Sequence, residues 1–546
     1  MNGLHILDAL VIVFYLLGIT ALGVWAGRKV KGTGDFFMPR RFGKGMMMMH
    51  AFGTGTASDQ AVIVASSTFK NGLSGIWYQW LWLFNTPFYW LIAPIFRRLR
   101  AVTTADVYSL RFGPSVAVLF SIVGILGLSV KIGLMLKGAG ALIESGTNGA
   151  FSAELTMPIV AVLFVIYGIA GGLGAAIITD YIQGILTVVF SFVLLPSLLI
   201  AVGGLSSIRE TINDPQMLSL VAPDNINALF IATFALLSLV GIVAQPFIMG
   251  VCSAGRTEFD GRFGFVVGNL IKRVCTAAWA VTGIGALAYY LQSGVAIESI
   301  NPDEVYGAMA QAFLPAIMPG LLGLFIAALL AGVMSSCDSF MVSASALFTE
   351  NLYKPYILGK SEKHYMMVGR LVSLLIVIGG VITAYLMPNV VSGLKLWLQI
   401  APMLGIAFWL GLFWRRFNGT GAWASTIVGF LGWWILSKTE LSEPIQILSY
   451  LLFAAIAGVV ASLISSPPDK EKIERFHALI RTPVSPGEIL QEPCHLPLGM
   501  APAVRAHFFT GTDFEFPKPS KESIVGFALC GGAVVAMIYS FIWIMS

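Results

Sequence analysis

Fourteen runs of apolar residues, each long enough to cross a bilayer, divide this chain. They fall at about 5–26, 45–69, 72–96, 116–145, 154–171, 177–204, 226–251, 274–292, 318–350, 364–387, 391–414, 418–437, 444–465 and 523–545. A hydrocarbon core about 30 Å thick is crossed by roughly 20 helical residues. In lipid, backbone polar groups must be satisfied within the spanning structure, and runs of this length select helices over barrel strands. The runs therefore predict an all-α polytopic membrane protein with about 14 transmembrane helices. Composition agrees: 57% of the residues are hydrophobic and 11% charged, where a soluble domain carries about 25% charge.

Basic residues then sort the loops by side. With the first helix running from outside to inside, the inner loops carry Arg28, Lys29, Lys31, Arg40, Arg41 and Lys44, then Arg97, Arg98, Arg100 and Arg111. Later inner loops carry Arg256, Arg262, Lys272 and Arg273, then Lys354, Lys360 and Lys363, then Arg415 and Arg416, and many bases between 466 and 521. The outer loops carry almost none. This places the chain in the cell (plasma or inner) membrane with both termini outside. The net charge of +5 follows from such loops and implies no nucleic-acid partner. Met1 to Asp8 lacks Lys and Arg, and the basic cluster follows the apolar run, the reverse of a secretory signal. The first helix is expected to be retained. Five scattered cysteines and six histidines form no CxxC, zinc spacing or HExxH, so neither a disulfide framework nor a metal hydrolase is expected. The proline-rich stretch 466–522 reads as a cytoplasmic tether, with one amphipathic piece near Lys470 to Ile480.

The ninth run contains Leu330-Ala-Gly-Val-Met-Ser-Ser-Cys-Asp-Ser-Phe-Met-Val-Ser-Ala-Ser345. Positions three and four apart share a helix face, so Ser335, Asp338 and Ser339 form one oxygen-lined patch, and Ser336, Ser339 and Ser343 an adjoining one. A carboxylate at membrane depth is costly and marks a functional site by default. Hydroxyls and a carboxylate are hard donors that suit a small hard cation. Serines bonded to the preceding turn's carbonyls and packing helices closely are the structural alternative, but they do not account for Asp338.

Two runs read as broken. The second holds Gly53-Thr-Gly-Thr-Ala-Ser-Asp59, and the seventh holds Gly241-Ile-Val-Ala-Gln-Pro246 and then Gly250. Pro246 removes a backbone donor. Interrupted spans in corresponding halves point to a transporter's binding site, and here they open two five-helix sets. Polar groups placed at the midplane are Thr54, Thr56, Asp59, Gln79, Gln245 and Gln399. Lys131 lies near the middle of its run, too deep to snorkel easily, so it pairs with Asp59, Asp180 or Asp338, or holds an anionic solute.

These residues resemble the sodium/solute symporter family, which includes proline, pantothenate, sialic acid, sugar and iodide carriers. Ala331 to Ser339 followed by Ser343 to Tyr353 looks like its eighth core helix. Arg97 to Thr104 with Tyr108 and Arg111-Phe-Gly113, Gly171 to Gln183, and Ile400 to Asn418 match three further motifs in the family's order. The resemblance implies an inverted five-plus-five helix repeat (LeuT-like) with discontinuous first and sixth core helices. On this chain that gives 1–44 as an extra helix and loop, 45–205 as the first repeat, 206–437 as the second repeat with the helix after it, and 438–546 as the C-terminal helices with their loop. It implies a sodium site made of the carbonyls of Ala57, Gln60 and Gly332 and the hydroxyls of Ser335 and Ser336. It also implies a second cation site at Asp180, Asp338 and Ser339, where Asp338 and Ser339 replace hydroxyls of some members. A first-turn carboxylate favoured by the helix dipole is the structural alternative for Asp180. The solute-binding candidates are Thr56, Asp59, Gln79, Lys131, Gln245 and Gln399. Phe247 and Val251 stand where many relatives have His and Arg.

The resemblance thus implies a secondary active transporter, not an enzyme, whose partners are a small organic solute, Na⁺ and the lipid bilayer. Lys131 tilts the solute towards a carboxylate or amino acid. A membrane-embedded solute sensor, proton coupling through Asp338, and a neutral sugar as cargo stay open. Asp338 with serines but without a histidine inside a span is not a catalytic triad. The sequence carries no signal for the oligomeric state.

Overall fold

The computed structural model describes residues 5–28, 36–56, 58–222, 226–485, 488 and 492–546. The chain is mostly helical, and nine described helices are long and apolar enough to cross a membrane, or ten if one bent pair counts as a span. The helices that build the centre and its flanks are α1 (Ile6–Gly27), α2 (Lys44–Gly53), α3 (Ser58–Asn71), α4 (Thr86–Arg98), α5 (Thr104–Phe112), α6 (Pro114–Gly146) and α7 (Ala153–Val193). They continue as α8 (Ala228–Ile242), α9 (Phe247–Ser253), α10 (Glu258–Gln292), α11 (Leu321–Ala346), α12 (Glu362–Leu386), α13 (Val390–Ile400), α14 (Pro402–Phe413), α15 (Gly419–Leu436), α16 (Glu443–Ile464), α17 (Lys470–Arg481) and α18 (Lys521–Met545). One two-stranded antiparallel ladder, β1 (His507–Phe508) with β2 (Phe516–Pro517), pairs His507 with Pro517 and Phe508 with Phe516. It is a local clasp in an otherwise α architecture.

The centre is set by α11, which is buried along nearly its whole length. A helix apolar all round belongs inside a bundle rather than against lipid, and α2, α6, α7 and α9 pack around this one. Helices α1, α12, α16 and α18 keep much of their apolar surface outward, as lipid-facing helices do. Asp8 ties α1 to the centre by accepting the Gly323 N–H at 2.8 Å, a carboxylate on an uncapped helix start.

Both expected breaks are present. Helix α2 ends at Gly53 and α3 begins at Ser58, and α8 and α9 are bent by 72° across 243–246. The expected turn at 172–176 contracts to one residue: α7 breaks at Gly172, with φ 58° and ψ −163°. A β-carbon there would meet the Phe36 carbonyl at 2.6 Å, so the break needs glycine on two counts.

One boundary is corrected. The eighth run was expected at 274–292 with Lys272 and Arg273 in a loop, but α10 starts at Glu258 behind a Thr257/Asp260 capping box. Lys272 and Arg273 are buried within it, roughly 20 Å along the helix from its start. The two charges depress hydropathy locally, which hides the first half of the span.

The 466–520 segment is docked rather than a bare tether. Helix α17 buries Ile473, Phe476, His477, Leu479 and Ile480. Arg100 is wholly buried in this segment: its Nε and Nη2 donate to the two Glu488 carboxylate oxygens at 2.6 and 2.9 Å, and Nη1 donates to the carbonyls of Arg98 and Thr482.

Candidate functional site

The break between α2 and α3 is gripped by side chains from other elements. The Ser336 hydroxyl of α11 donates to the Gly53 carbonyl at 2.7 Å and accepts the Gly55 N–H at 3.1 Å. From α10, the Lys272 ammonium donates to the Thr54 carbonyl at 3.2 Å. The Gln60 side-chain amide donates to the Gly55 carbonyl. Backbone freed by a helix break must find partners inside the membrane, and these three supply them.

Of the residues implied for sodium, Ala57 lies outside the described residues. Gln60, Gly332, Ser335 and Ser336 are buried. Among the described residues, Ser335 Oγ, Ser58 Oγ and Gln60 Oε1 have no hydrogen-bond partner. Orphaned buried oxygens are rare in proteins, and a set beside a helix break suits a hard cation. The serines of α11 divide in two. Ser343 and Ser345 donate to the carbonyls of Ser339 and Val342 within the helix, as packing serines do. Ser335, Ser336 and Ser339 do not.

A small cavity of about 50 Å³ lies against this break. Of the solute-binding candidates, Gln79, Lys131 and Gln245 line it, together with Thr54. Asp59 stands behind Lys131: its Oδ2 accepts from Lys131 Nζ at 2.9 Å, and both side chains are buried. Lys131 also lies 4.7 Å from the centroid of the Trp397 ring, so its charge is matched by Asp59 and its face by an aromatic wall. Phe247 and Val251 line the cavity too.

Two further candidates bond elsewhere. Thr56 donates its hydroxyl to the Phe52 carbonyl, closing the last turn of α2. Gln399 accepts from Trp433 Nε1 at 2.5 Å. Both are polar groups satisfied locally, and neither is part of the cavity wall.

The sequence reading also missed residues. Lys272, Arg273 and Asn269, one face of α10, line the cavity. Arg273 Nη1 donates to the Gln79 carbonyl and to Gln79 Oε1, the latter at 3.2 Å, and its guanidinium lies 5.4 Å from the Trp82 ring centroid. The Thr257-x-x-Asp260 capping signal, three residues apart at the helix start, was the available clue to their depth.

The second cation candidates fall apart into two groups. Asp180 Oδ2 lies 2.5 Å from His50 Nδ1, and Thr54 Oγ1 lies 3.1 Å from the same nitrogen. A histidine therefore does sit inside a span, contrary to expectation, in an apolar run that gave no sign of its partner 130 residues away. Asp180 is well inside α7, so a first-turn dipole role does not apply. Asp338 faces Gly168 instead: a β-carbon there would sit 2.0 Å from Asp338 Oδ1. Among the described residues both Asp338 oxygens and Ser339 Oγ lack partners, and no hydrogen bond joins them to Asp180. Asp338 stays within electrostatic reach of Asp180.

The sequence profile of the sodium:solute symporter family matches residues 36–429 of this chain. The osmoregulated proline transporter OpuE of Bacillus subtilis is 25% identical over 487 residues, covering 85% of this chain and 96% of its own length. The sodium/pantothenate symporter of Haemophilus influenzae is 24% identical over 490 residues, covering 85% and 97%. The solved substrate-bound, outward-open structure of a Na⁺-coupled sialic acid symporter matches with a TM-score of 0.73 at 18% identity, covering 85% of this chain and 99% of that one. This likeness establishes the fold.

Proposed function

Because the chain belongs to the sodium:solute symporter family and is a sodium-coupled symporter of small solutes, we propose that the cavity beside the α2–α3 break is its solute site and that Na⁺ binds between that break and α11. The observation that carries this is the Ser336 staple with orphaned oxygens beside it. A hydroxyl has one proton and two acceptor positions. Ser336 places its proton on the Gly53 carbonyl and one acceptor position on the Gly55 N–H, leaving one for the ion. Ser335 Oγ, with no partner among the described residues, offers another, and the carbonyls of Gln60 and Gly332 add to the set.

An ion held there ties the break to α11, and the same break forms one wall of the cavity. Solute and Na⁺ therefore raise each other's affinity by one shared coupling energy, typically about 1–3 kcal/mol. Alternating access around the fixed site then lets the sodium gradient drive uptake. The same reading takes the 14 apolar runs as 14 crossings, arranged as an inverted five-plus-five repeat with extra helices at either end. It puts both termini outside. Removing Lys272 and Arg273 from the inner loops leaves Arg256 in the loop and Arg262 near the start of α10, so the charge bias that supports this topology survives.

A second cation site uses Asp338, Ser339 and the oxygen of Asp180 that is free of His50. The solute is a small organic compound carrying a carboxylate, as proline and pantothenate both do. Lys131 is already paired with Asp59, so Lys272 and Arg273 on the cavity wall are the groups that would hold that carboxylate. The test is uptake into proteoliposomes of radiolabelled amino acids, organic acids and sugars under an inward Na⁺ gradient and again under K⁺. Uptake of one solute class with Na⁺ alone is expected. Loss of that Na⁺ dependence with uptake intact in Ser335→Ala/Ser336→Ala would place the ion at these hydroxyls, and unchanged Na⁺ dependence would remove them.

A further inference from the structure

Three basic side chains line the cavity, Lys131, Lys272 and Arg273, and among the described residues its wall contains no Asp or Glu. The three are not equivalent. Lys131 is matched by Asp59 at 2.9 Å. Lys272, 5% exposed, bonds to the Thr54 carbonyl. Arg273, 2% exposed, bonds to two oxygens of Gln79, and its Nε has no partner. Neither Lys272 nor Arg273 has an ion-pair partner among the described residues. A buried charge whose contacts are neutral dipoles carries a large desolvation cost that an opposite charge offsets.

We infer that the solute is a net anion, an organic acid without a balancing ammonium, whose acidic group is taken by Lys272 and Arg273. This rests on the reading of the cavity as the solute site. It narrows that reading by charge. A zwitterionic amino acid would bring an ammonium into a wall that already holds three cations, and Asp59, the nearest acid to that wall, is committed to Lys131. A neutral sugar would leave both charges unmatched. An organic acid matches them and leaves the amides of Gln79, Gln245 and Asn269 for hydroxyl or carbonyl groups on the rest of its skeleton. Gln79 Nε2, buried and without a partner, is one donor of that kind.

The position of Lys272 also links charge to coupling. Its ammonium lies on the Thr54 carbonyl, one residue from the Gly53 carbonyl and the Gly55 N–H that Ser336 holds. A carboxylate drawing on Lys272 therefore acts on the same four-residue break that binds the ion. Arg supplies a planar fork and Lys a point charge, so the two together accept a carboxylate from adjoining directions.

The experiment uses matched pairs that share a carbon skeleton and differ in charge: glucuronate with glucose, and lactate with alanine. Thermal midpoints of the purified full chain are read with each compound at millimolar concentration, in Na⁺ and in K⁺. A ligand that binds the folded state raises the midpoint by mass action. The acid of at least one pair is expected to raise it while its neutral or zwitterionic twin does not. Lys272→Gln should weaken that acid's apparent affinity by about tenfold or more, with Lys272→Arg retaining most of it. A twin as effective as its acid, or no response to any acid, overturns the inference. An acid response equal in Na⁺ and K⁺ upholds the anion site and sinks the coupling at the break instead. If Lys272→Gln does not fold, the matched pairs on the unaltered chain still decide.

Discussion

Two sets of carboxylates in this chain are buried or nearly so, and they are treated differently. In the docked 466–520 segment and the helix ends beneath it, Glu258, Glu488 and Glu515 have every oxygen bonded. Glu258 takes Arg98 and the Val484 N–H, Glu488 takes Arg100, and Glu515 takes Arg481 on one oxygen and Arg415 on the other. In the membrane, Asp59 Oδ1, Asp180 Oδ1 and both oxygens of Asp338 have none among the described residues. A protein that satisfies one set and not the other has assigned them different work. The first network fixes a segment onto the bundle; the second leaves oxygens open, as the proposed cation sites require.

The largest test of that difference is to break one pair in each set. Asp59→Asn leaves Lys131 buried without its acid, which costs about 3–5 kcal/mol. Folded protein and uptake should both fall sharply. Asp59→Leu/Lys131→Met, which removes both charges, should recover folded protein without recovering uptake. Recovered uptake would make the pair a packing device. Arg100→Met does the same to Glu488 and should lower the thermal midpoint by an amount corresponding to about 3 kcal/mol. Its Na⁺ concentration for half-maximal uptake should match the unaltered chain; a shift would join the two networks.

The next effect is pH-dependent and belongs to the docked segment. Burial, with Arg111, Arg415 and Arg481 nearby, pushes His477 down to about 3 against the pull of Glu515. An unfolded histidine titrates near 6.5. The folded state therefore binds fewer protons between these values, so stability is full above about 6.5 and is lost as the pH falls towards 3. By pH 5 the loss is about 2 kcal/mol. The thermal midpoint should drop between pH 7 and pH 5, and drop less in His477→Gln. An equal drop in both would assign the pH sensitivity elsewhere.

What the sequence disclosed divides along the same line. Glycine, proline and polar residues inside apolar runs are anomalous wherever they occur, so both broken helices were legible, and so was a lysine at mid-span, though not which of Asp59, Asp180 and Asp338 it meets. Residues whose meaning depends on depth or on a distant partner were not. Lys272 and Arg273 counted as loop charges because the positive-inside rule weighs charge without locating it. His50 sits among four methionines and an alanine, and Asp180, which explains it, is on another helix. Thr56 and Gln399 bond to a carbonyl four residues back and to the indole of Trp433, partners that the sequence does not display. The docking of 466–520 was hidden by its prolines, which break helices without preventing ion pairs.

The smallest expected effect bears most directly on the central claim, that Na⁺ is held between the α2–α3 break and α11. It is the Na⁺-specific thermal shift of the purified chain, compared with Ser335→Ala/Ser336→Ala. The account predicts a midpoint that rises with Na⁺ but not with K⁺, and a double variant that needs about tenfold more Na⁺ for half of that rise. An unchanged Na⁺ response in a folded double variant would contradict it.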